Sequence, residues 1–536
     1  MTITSFQFLG FILITLIVFR LFPVKKQWWV LLAASIVFYL TFNVAGIFVM
    51  IGTAFLTYAA ALGVQKYKDQ HATWLKENKK TADKETRKAT KALYQKKQKL
   101  IVAGTVIVTI GILFLCKYYK VLAVDFNNLF HTQLWTAENI LLPLGISYYS
   151  FQLIGYLVDV HRDIIPAEKN PFKVVLYGGF FLSIMQGPFN RYNDLMPQIC
   201  AEERNKLTYL DFKFAVLRIV GGYIKKLCIA DQVGIIANEV FTNYEKYAGL
   251  GIFVGIVCFA VQLYADFSGY MDIIVGIGQL FGIKMPENFR QPFFSRNMSE
   301  FWKRWHITLG MWLQDYVFYP ILKSSVFKKM GKGITDKLGK EAGRRIPTYI
   351  GMLILWILIG AWHGAGFNYV FGVGILQFIY IFLGELCNPL FKKAKKLLHI
   401  NDKKLYWHIF QSLRCTALMM FAWVFFNSRT FSDALGMIKS LFVVPNVQQL
   451  TVGIFESGEG VISGSILNWL VFITISLTTI IIIDLLHERN ISLRRTVMSQ
   501  VFPVRAAFYV SIFFALVIFA AYGDQNVSSN FIYFEF

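Results

Sequence analysis

Long apolar runs recur along the whole chain, separated by short polar segments that are rich in Lys and Arg. A hydrocarbon core about 30 Å thick needs roughly 20 apolar residues per spanning helix. The predicted spans are 5–22, 28–43, 46–64, 100–119, 137–158, 172–186, 248–265, 346–364, 367–388, 406–426, 465–486 and 506–523. This pattern predicts an all-α, polytopic transmembrane bundle of about 11–13 helices.

The region from about 172 to 320 breaks this regular pattern. Its aromatic runs are interrupted by charges and by Gly187-Pro188, Met285-Pro286 and Gln291-Pro292. Irregular backbone at membrane depth is tolerated only where it is buried in protein or faces a water-filled cavity. We therefore expect re-entrant or short helices here, arranged around a central tunnel.

Composition and charge placement support a membrane protein. The chain has 536 residues, of which 56% are hydrophobic, and a formal net charge of +22. The basic residues concentrate at 66–99, 321–345, 389–404 and 488–505. Basic segments beside spans mark the cytoplasmic side and attract anionic lipids, so this placement favours a membrane protein over a nucleic-acid-binding one.

The segment 66–99 carries twelve Lys or Arg and four acidic residues, and it predicts a basic cytoplasmic helix. Alternation of the spans then places the N-terminus and the segment 448–463 outside. No linker separates soluble domains, so 1–536 is predicted to form a single multi-pass membrane domain.

Two of the eight histidines stand in apolar surroundings. His363 ends an apolar run and precedes Gly364, and His306 follows Trp305. Ionisable groups inside membrane segments are costly and suggest function. Burial lowers the pKa of an imidazole, so such a histidine stays neutral and can accept a proton from a hydroxyl. One helical face is predicted to carry Trp302, Trp305, His306, Leu309 and Leu313.

Other polar groups lie in the same part of the sequence. Asp266, Ser268 and Asp272 are predicted just beyond a span, and Arg191 is predicted in a re-entrant turn after Gly187-Pro188. They are either buried partners for one another or the lining of a reaction tunnel. The sequence has no P-loop, HExxH or GxSxG motif, so nothing in it indicates a metal site or a serine nucleophile.

These residues resemble the membrane-bound O-acyltransferase (MBOAT) family. The resemblance lies in Phe301-Trp-Lys-Arg-Trp-His306, Trp312-Leu-Gln-Asp315-Tyr316, Trp362-His363-Gly364, Asp266-Phe-Ser-Gly-Tyr270, and Gly187-Pro188 with Arg191-Tyr192. Within the family, the chain is most similar to the bacterial alginate O-acetylation branch, and the D-alanyl transfer branch is a near relative.

The resemblance implies catalytic roles for His363 and His306 within a region spanning 284–366. It implies substrate contacts for Trp305, Trp362, Asp266, Ser268, Arg191 and Asp315. It also implies a cytoplasmic thioester donor, acetyl-CoA, with no tightly bound cofactor, and an extracytoplasmic polysaccharide acceptor. A separate extracytoplasmic acyltransferase is expected as a partner, and the bacterial inner membrane as the location.

Three alternatives remain open at this stage. The first is D-alanyl transfer to teichoic acid from an acylated carrier protein. The second is a transporter or flippase, since intramembrane charges and broken helices fit that class too. The third is a scaffold that anchors a polysaccharide-modifying complex without catalysing the reaction.

Overall fold

The computed structural model describes residues 1–130, 142–204, 206–364, 366–444 and 466–520. Every regular element within these ranges is helical, which confirms the all-α prediction. The start of the predicted span 137–158 and the segment 448–463 lie outside the described residues.

Eight helices of the described ranges are long and apolar enough to cross a bilayer, which confirms a multi-pass membrane protein. They are Val44–Glu77, Lys84–Tyr119, Leu250–Leu280, Lys340–His363, Phe367–Leu386, Leu405–Asn427, Val471–Glu488 and Phe502–Phe519. This count is below the predicted 11–13, since the helices at four predicted spans are short: Phe6–Leu21, Gln27–Leu40, Ile146–His161 and Pro171–Gly179 have 16, 14, 16 and 9 residues. The central tunnel stays a prediction.

The spanning helices are joined by shorter ones. These are Ile146–His161, Tyr192–Ile199, Tyr209–Tyr223, Asp231–Thr242, Met298–Arg304, Ile307–Leu313, Tyr319–Lys323, Ser325–Leu338, Asn388–Leu397, Phe431–Leu441 and Leu493–Met498. Three π-helical stretches, Ile224–Ala230, Gln314–Phe318 and Val370–Ile375, also occur in the described ranges.

The chain packs into two compact units. Unit 1 comprises Met1–Phe212 with Ile277–Pro286, and unit 2 comprises Lys213–Gly276 with Glu287–Phe536. The single-domain organisation of 1–536 stays a prediction.

Unit 1 contains a helical hairpin. The helices Val44–Glu77 and Lys84–Phe130 pack against each other along their length, and the basic segment 66–99 forms their polar ends and the turn between them. The prediction of one basic helix over 66–99 is therefore wrong, because a turn at 78–83 divides the segment into two helical extensions of spanning helices. Its cytoplasmic location stays a prediction.

Unit 1 also contains the predicted irregular segment. Residues 180–190 form buried, largely non-helical chain between Pro171–Gly179 and Tyr192–Ile199. Asn190 holds it by donating from Nδ2 to Ser183 Oγ at 2.7 Å and to the Pro188 carbonyl at 3.0 Å. These bonds satisfy groups that would be costly to bury without partners.

In unit 2, two glycines let neighbouring helices approach closely. A Cβ atom on Gly360 would stand 2.7 Å from Val370 Cα, and one on Gly374 would stand 2.7 Å from the Trp356 carbonyl oxygen. Small residues at such crossings allow backbones to pack tightly inside a membrane. This contact fixes the helix that ends at His363 against the segment that follows it.

Candidate functional site

His363 is the last residue of the helix Lys340–His363, as the sequence predicts. Its side chain is 5% exposed, and its ring lies 4.7 Å from the Trp362 ring and 5.6 Å from that of Phe426. Gly364 ends the helix in an extended conformation, and a Cβ there would meet the Tyr369 ring at 2.5 Å. The imidazole therefore sits at a closely packed helix end, among aromatic rings.

The prediction that His306 lies on a continuous helical face is wrong. The helix Met298–Arg304 ends before it, and Ile307–Leu313 begins after it. His306 itself adopts φ 46° and ψ 49°, the left-handed region that costs most L-residues about 1–2 kcal/mol. Such an outlier persists only when the surroundings over-determine it, and it is typical of functional sites.

Asn288 fixes the backbone and the ring of His306. The Asn288 carbonyl accepts from the Ile307 amide at 3.0 Å, and Asn288 Oδ1 accepts from the Thr308 amide and hydroxyl, both at 3.0 Å. The same Oδ1 lies 3.3 Å from His306 Nδ1. Because Oδ1 can only accept, this contact places the ring proton on Nδ1 and leaves Nε2 as the acceptor.

Burial keeps the His306 ring neutral. The side chain is 3% exposed, and desolvation lowers its pKa to about 3. The Phe267 ring contacts the imidazole edge to face at 4.8 Å between centroids. A neutral imidazole with its acceptor nitrogen fixed is the form that a general base requires.

The two histidines lie beside two groups of aromatic rings, and both groups include rings from the same two helices. The Trp305 ring lies 5.3 Å from Trp423, and Phe426, one turn further along that helix, contacts His363. Phe426 also packs on Phe259 at 6.3 Å. Since Phe259 and Phe267 are eight residues apart on one helix, the histidine contacts are roughly 12 Å apart along that helix. The structure thus places the imidazoles beside the same two helices, at different heights along them.

The prediction that Asp266 and Ser268 lie just beyond a span is wrong. Both residues lie inside the helix Leu250–Leu280. Asp266 Oδ1 is 2.7 Å from Lys226 Nζ, which is also 2.8 Å from Asp231 Oδ1. All three side chains are buried, and we call them the core ion cluster. Asp266 therefore has a structural charge partner, whereas the buried Ser268 hydroxyl makes no hydrogen bond with the described residues.

The remaining predicted substrate contacts have different settings. Trp305 is 2% exposed among aromatic rings, and Trp362 is half-buried beside His363. Asp315 is half-buried in the π-helical stretch Gln314–Phe318. Arg191, in unit 1, caps the helix Tyr192–Ile199. The structure therefore associates the two tryptophans with the histidines, and the substrate roles of all these residues stay predictions.

Sequence reasoning missed Asn288 and Lys226. An asparagine in a polar stretch after Pro286 gives no signal of its own, because its partners are defined by the fold. Lys226 was detectable, since a lysine pair interrupts the apolar run around Lys225. Among the described residues, no group of three His, Cys, Asp or Glu side chains is arranged to hold a metal ion.

The fold and this site define a class of protein: a polytopic helical membrane protein with two buried histidines in an aromatic core. Residues 166–335 match the family model described as MBOAT, membrane-bound O-acyltransferase family. Over this segment, which contains His306, the chain is similar to the MBOAT family.

Named relatives are bacterial acyl-transfer proteins. The chain is 31% identical over 305 residues to the probable alginate O-acetylase of Pseudomonas syringae pv. tomato, covering 57% of this chain and 52% of that protein. It is 26% identical over 446 residues to the peptidoglycan O-acetyltransferase of Helicobacter pylori, covering 78% and 74%. It is 31% identical over 277 residues to the teichoic acid D-alanyltransferase of Bacillus subtilis, covering 50% and 64%. The match spans about half the length of the alginate relatives.

Proposed function

We propose that this protein is a membrane O-acyltransferase of the bacterial inner membrane. It moves an acetyl group from a cytoplasmic thioester, acetyl-CoA, to a hydroxyl of an extracytoplasmic polysaccharide or to a separate extracytoplasmic acyltransferase. The observation that carries the proposal is that, among the described histidines, only His306 and His363 are buried, and each contacts aromatic rings. The acyl-transfer names of the relatives support it.

In the proposed reaction, His363 takes the proton from the acceptor hydroxyl as its oxygen attacks the thioester carbonyl carbon. The carbon–sulfur bond then breaks, and the proton passes to the leaving thiol. The acceptor nitrogen of His306 suits orientation of the hydroxyl, whereas donation to an oxyanion would need a proton on Nε2. Aromatic surroundings exclude water and so limit hydrolysis of the thioester.

The test uses the purified full chain in proteoliposomes, with acetyl-CoA and oligosaccharides of alginate or peptidoglycan type. We expect acceptor-dependent release of free thiol, and His363→Gln to lower its initial rate by about 10²–10⁴-fold. The exposed His487 offers the matched control, His487→Gln, which keeps the wild-type rate. Unchanged transfer in the His363 variant would overturn the catalytic role and leave a scaffold or transporter.

D-alanyl transfer is the second candidate, because the Bacillus subtilis D-alanyltransferase is as identical in sequence as the first alginate relative. A parallel assay supplies a carrier protein charged with D-alanine in place of acetyl-CoA. If transfer occurs only from the carrier protein, the charged carrier replaces acetyl-CoA as the proposed donor. The proposed role of His363 is unchanged in that case.

A further inference from the structure

A polar cleft lies at the base of the hairpin of unit 1. Its volume is about 620 Å³, and it opens where the apolar parts of the two hairpin helices give way to basic residues. The end of the helix Ile146–His161 forms its third side. We call it the hairpin cleft, and the residues that matter below are Lys68, Lys91, Lys99, His71 and His161.

The hairpin cleft has cationic groups in excess of its carboxylates. Lys68 bonds to Asp163 and to the Val160 carbonyl, so these two side chains offset each other. The other acidic group, Asp69, accepts from Gln65 Nε2 at 2.9 Å. Lys91 and Lys99 form no ion pair with the described residues, although both line the cleft. The cleft therefore has three lysines against two carboxylates, an excess of one positive charge.

Two imidazoles add unused hydrogen-bonding groups. His71 Nε2 and His161 Nδ1 are buried and make no hydrogen bond with the described residues. The His71 ring is fixed against Tyr94, with 5.5 Å between centroids. Burial, followed by the charges of Lys68 and Lys99, lowers the pKa of His161, and Asp163 offsets this only in part. The cleft thus has a positive local field, which an anion would relieve.

We propose that the hairpin cleft binds a phosphate ester. Phosphate oxygens accept several charge-assisted hydrogen bonds at once, which matches two lysines and two imidazoles around a polar space. Lysine acts as a point charge towards phosphate and needs no bidentate geometry. The phosphate comes either from a soluble phosphorylated metabolite or from a lipid headgroup, and the chemistry of recognition is shared. The site is independent of the acyl-transfer reaction proposed above.

The first test measures binding of radiolabelled pyrophosphate to the full chain in a neutral detergent, by equilibrium dialysis. We expect one saturable site, which Lys91→Gln with Lys99→Gln weakens about tenfold or more. Lys84→Gln with Lys88→Gln is the control, because it removes the same charge from exposed positions on the same helix that do not line the cleft. No saturable binding, or equal loss in both double variants, would overturn the site.

A second arm identifies the source of the phosphate. The protein is placed in phosphatidylcholine nanodiscs with or without phosphatidylglycerol, and pyrophosphate binding is repeated. Loss of binding only in the anionic discs assigns the site to a lipid headgroup, and retained binding assigns it to a soluble phosphate ester. Binding that is absent from neutral discs as well would contradict the proposal. Thiol release by the lysine variants is measured in the same preparations. This measurement distinguishes loss of acyl transfer from loss of phosphate binding.

Discussion

The lysines of the two units differ in burial and in ion pairing. In the core ion cluster of unit 2, Lys226 is 1% exposed and lies between Asp231 and Asp266. In the hairpin of unit 1, Lys91 and Lys99 are exposed and form no ion pair with the described residues. A buried charge must have specific partners, whereas exposed charges act together as a field that salt screens. Single substitutions should therefore matter in the first region and combined ones in the second.

The largest effect on stability should come from Lys226→Met. It leaves two buried carboxylates without their cation, and breaking a buried pair in this way costs about 3–5 kcal/mol. The apparent midpoint of thermal unfolding can be followed through labelling of the buried thiols of Cys228, Cys258 and Cys415. Lys84→Met, on the exposed hairpin, should leave the midpoint unchanged.

A compensated variant sharpens this contrast. Lys226→Met combined with Asp231→Asn and Asp266→Asn removes the uncompensated charge and should recover part of the lost stability. If the Lys226→Met variant unfolds at the wild-type midpoint, the core ion cluster contributes no more to the stability of the protein than the hairpin lysines do.

The next largest effect is on how the stability of the protein depends on pH. Because the folded pKa of His306 is about 3, its ring stays neutral in the native state while the unfolded imidazole protonates below about 6.5. Stability is therefore full above pH 6.5 and falls as the pH drops, by about 2 kcal/mol at pH 5. His306→Gln should remove this component, so that its unfolding midpoint changes less between pH 7 and pH 5 (about two units, spanning the imidazole pKa).

A His306→Gln protein that loses stability with acid as steeply as the wild type would show that other groups dominate this range.

The smallest expected change in stability concerns the left-handed backbone conformation of His306. Both His306→Gly and His306→Val remove the imidazole, but only glycine accepts a φ of 46° without strain. We expect the valine variant to be less stable than the glycine variant by about 1–2 kcal/mol, with acyl transfer lost to the same extent in both. Equal unfolding midpoints would mean that the surrounding segment relaxes when the ring is absent.

Apolar periodicity was sufficient to place most spanning helices and His363 at the end of one of them. It failed at His306, because the sequence around Trp305 continues a helical pattern while Asn288, 18 residues earlier in the chain, holds the residue in a left-handed conformation. The apolar pattern also ended the predicted span 248–265 too early, because a carboxylate such as that of Asp266 normally marks the end of an apolar helix. Here Lys226 neutralises it, and that pairing is invisible in the local sequence.

The site was predictable to the extent that it depends on residue type. Two histidines in apolar contexts could be singled out among eight, and the structure buries both. Their placement beside shared helices could not be predicted, because it depends on Trp423 and Phe426, which contact Trp305 and His363 from a third helix. Contacts of that kind depend on how helices cross, which one sequence does not specify.

The hairpin of unit 1 has a practical consequence for imaging. Residues 66–77 continue a spanning helix for twelve residues, which carries the turn at 78–83 about 18 Å past its apolar part. A small folded domain grafted into this turn would be joined by two packed helices instead of a flexible tether. Such a graft would give particle images a fixed orientation marker, so that electron cryomicroscopy of this mostly bilayer-embedded chain becomes practical.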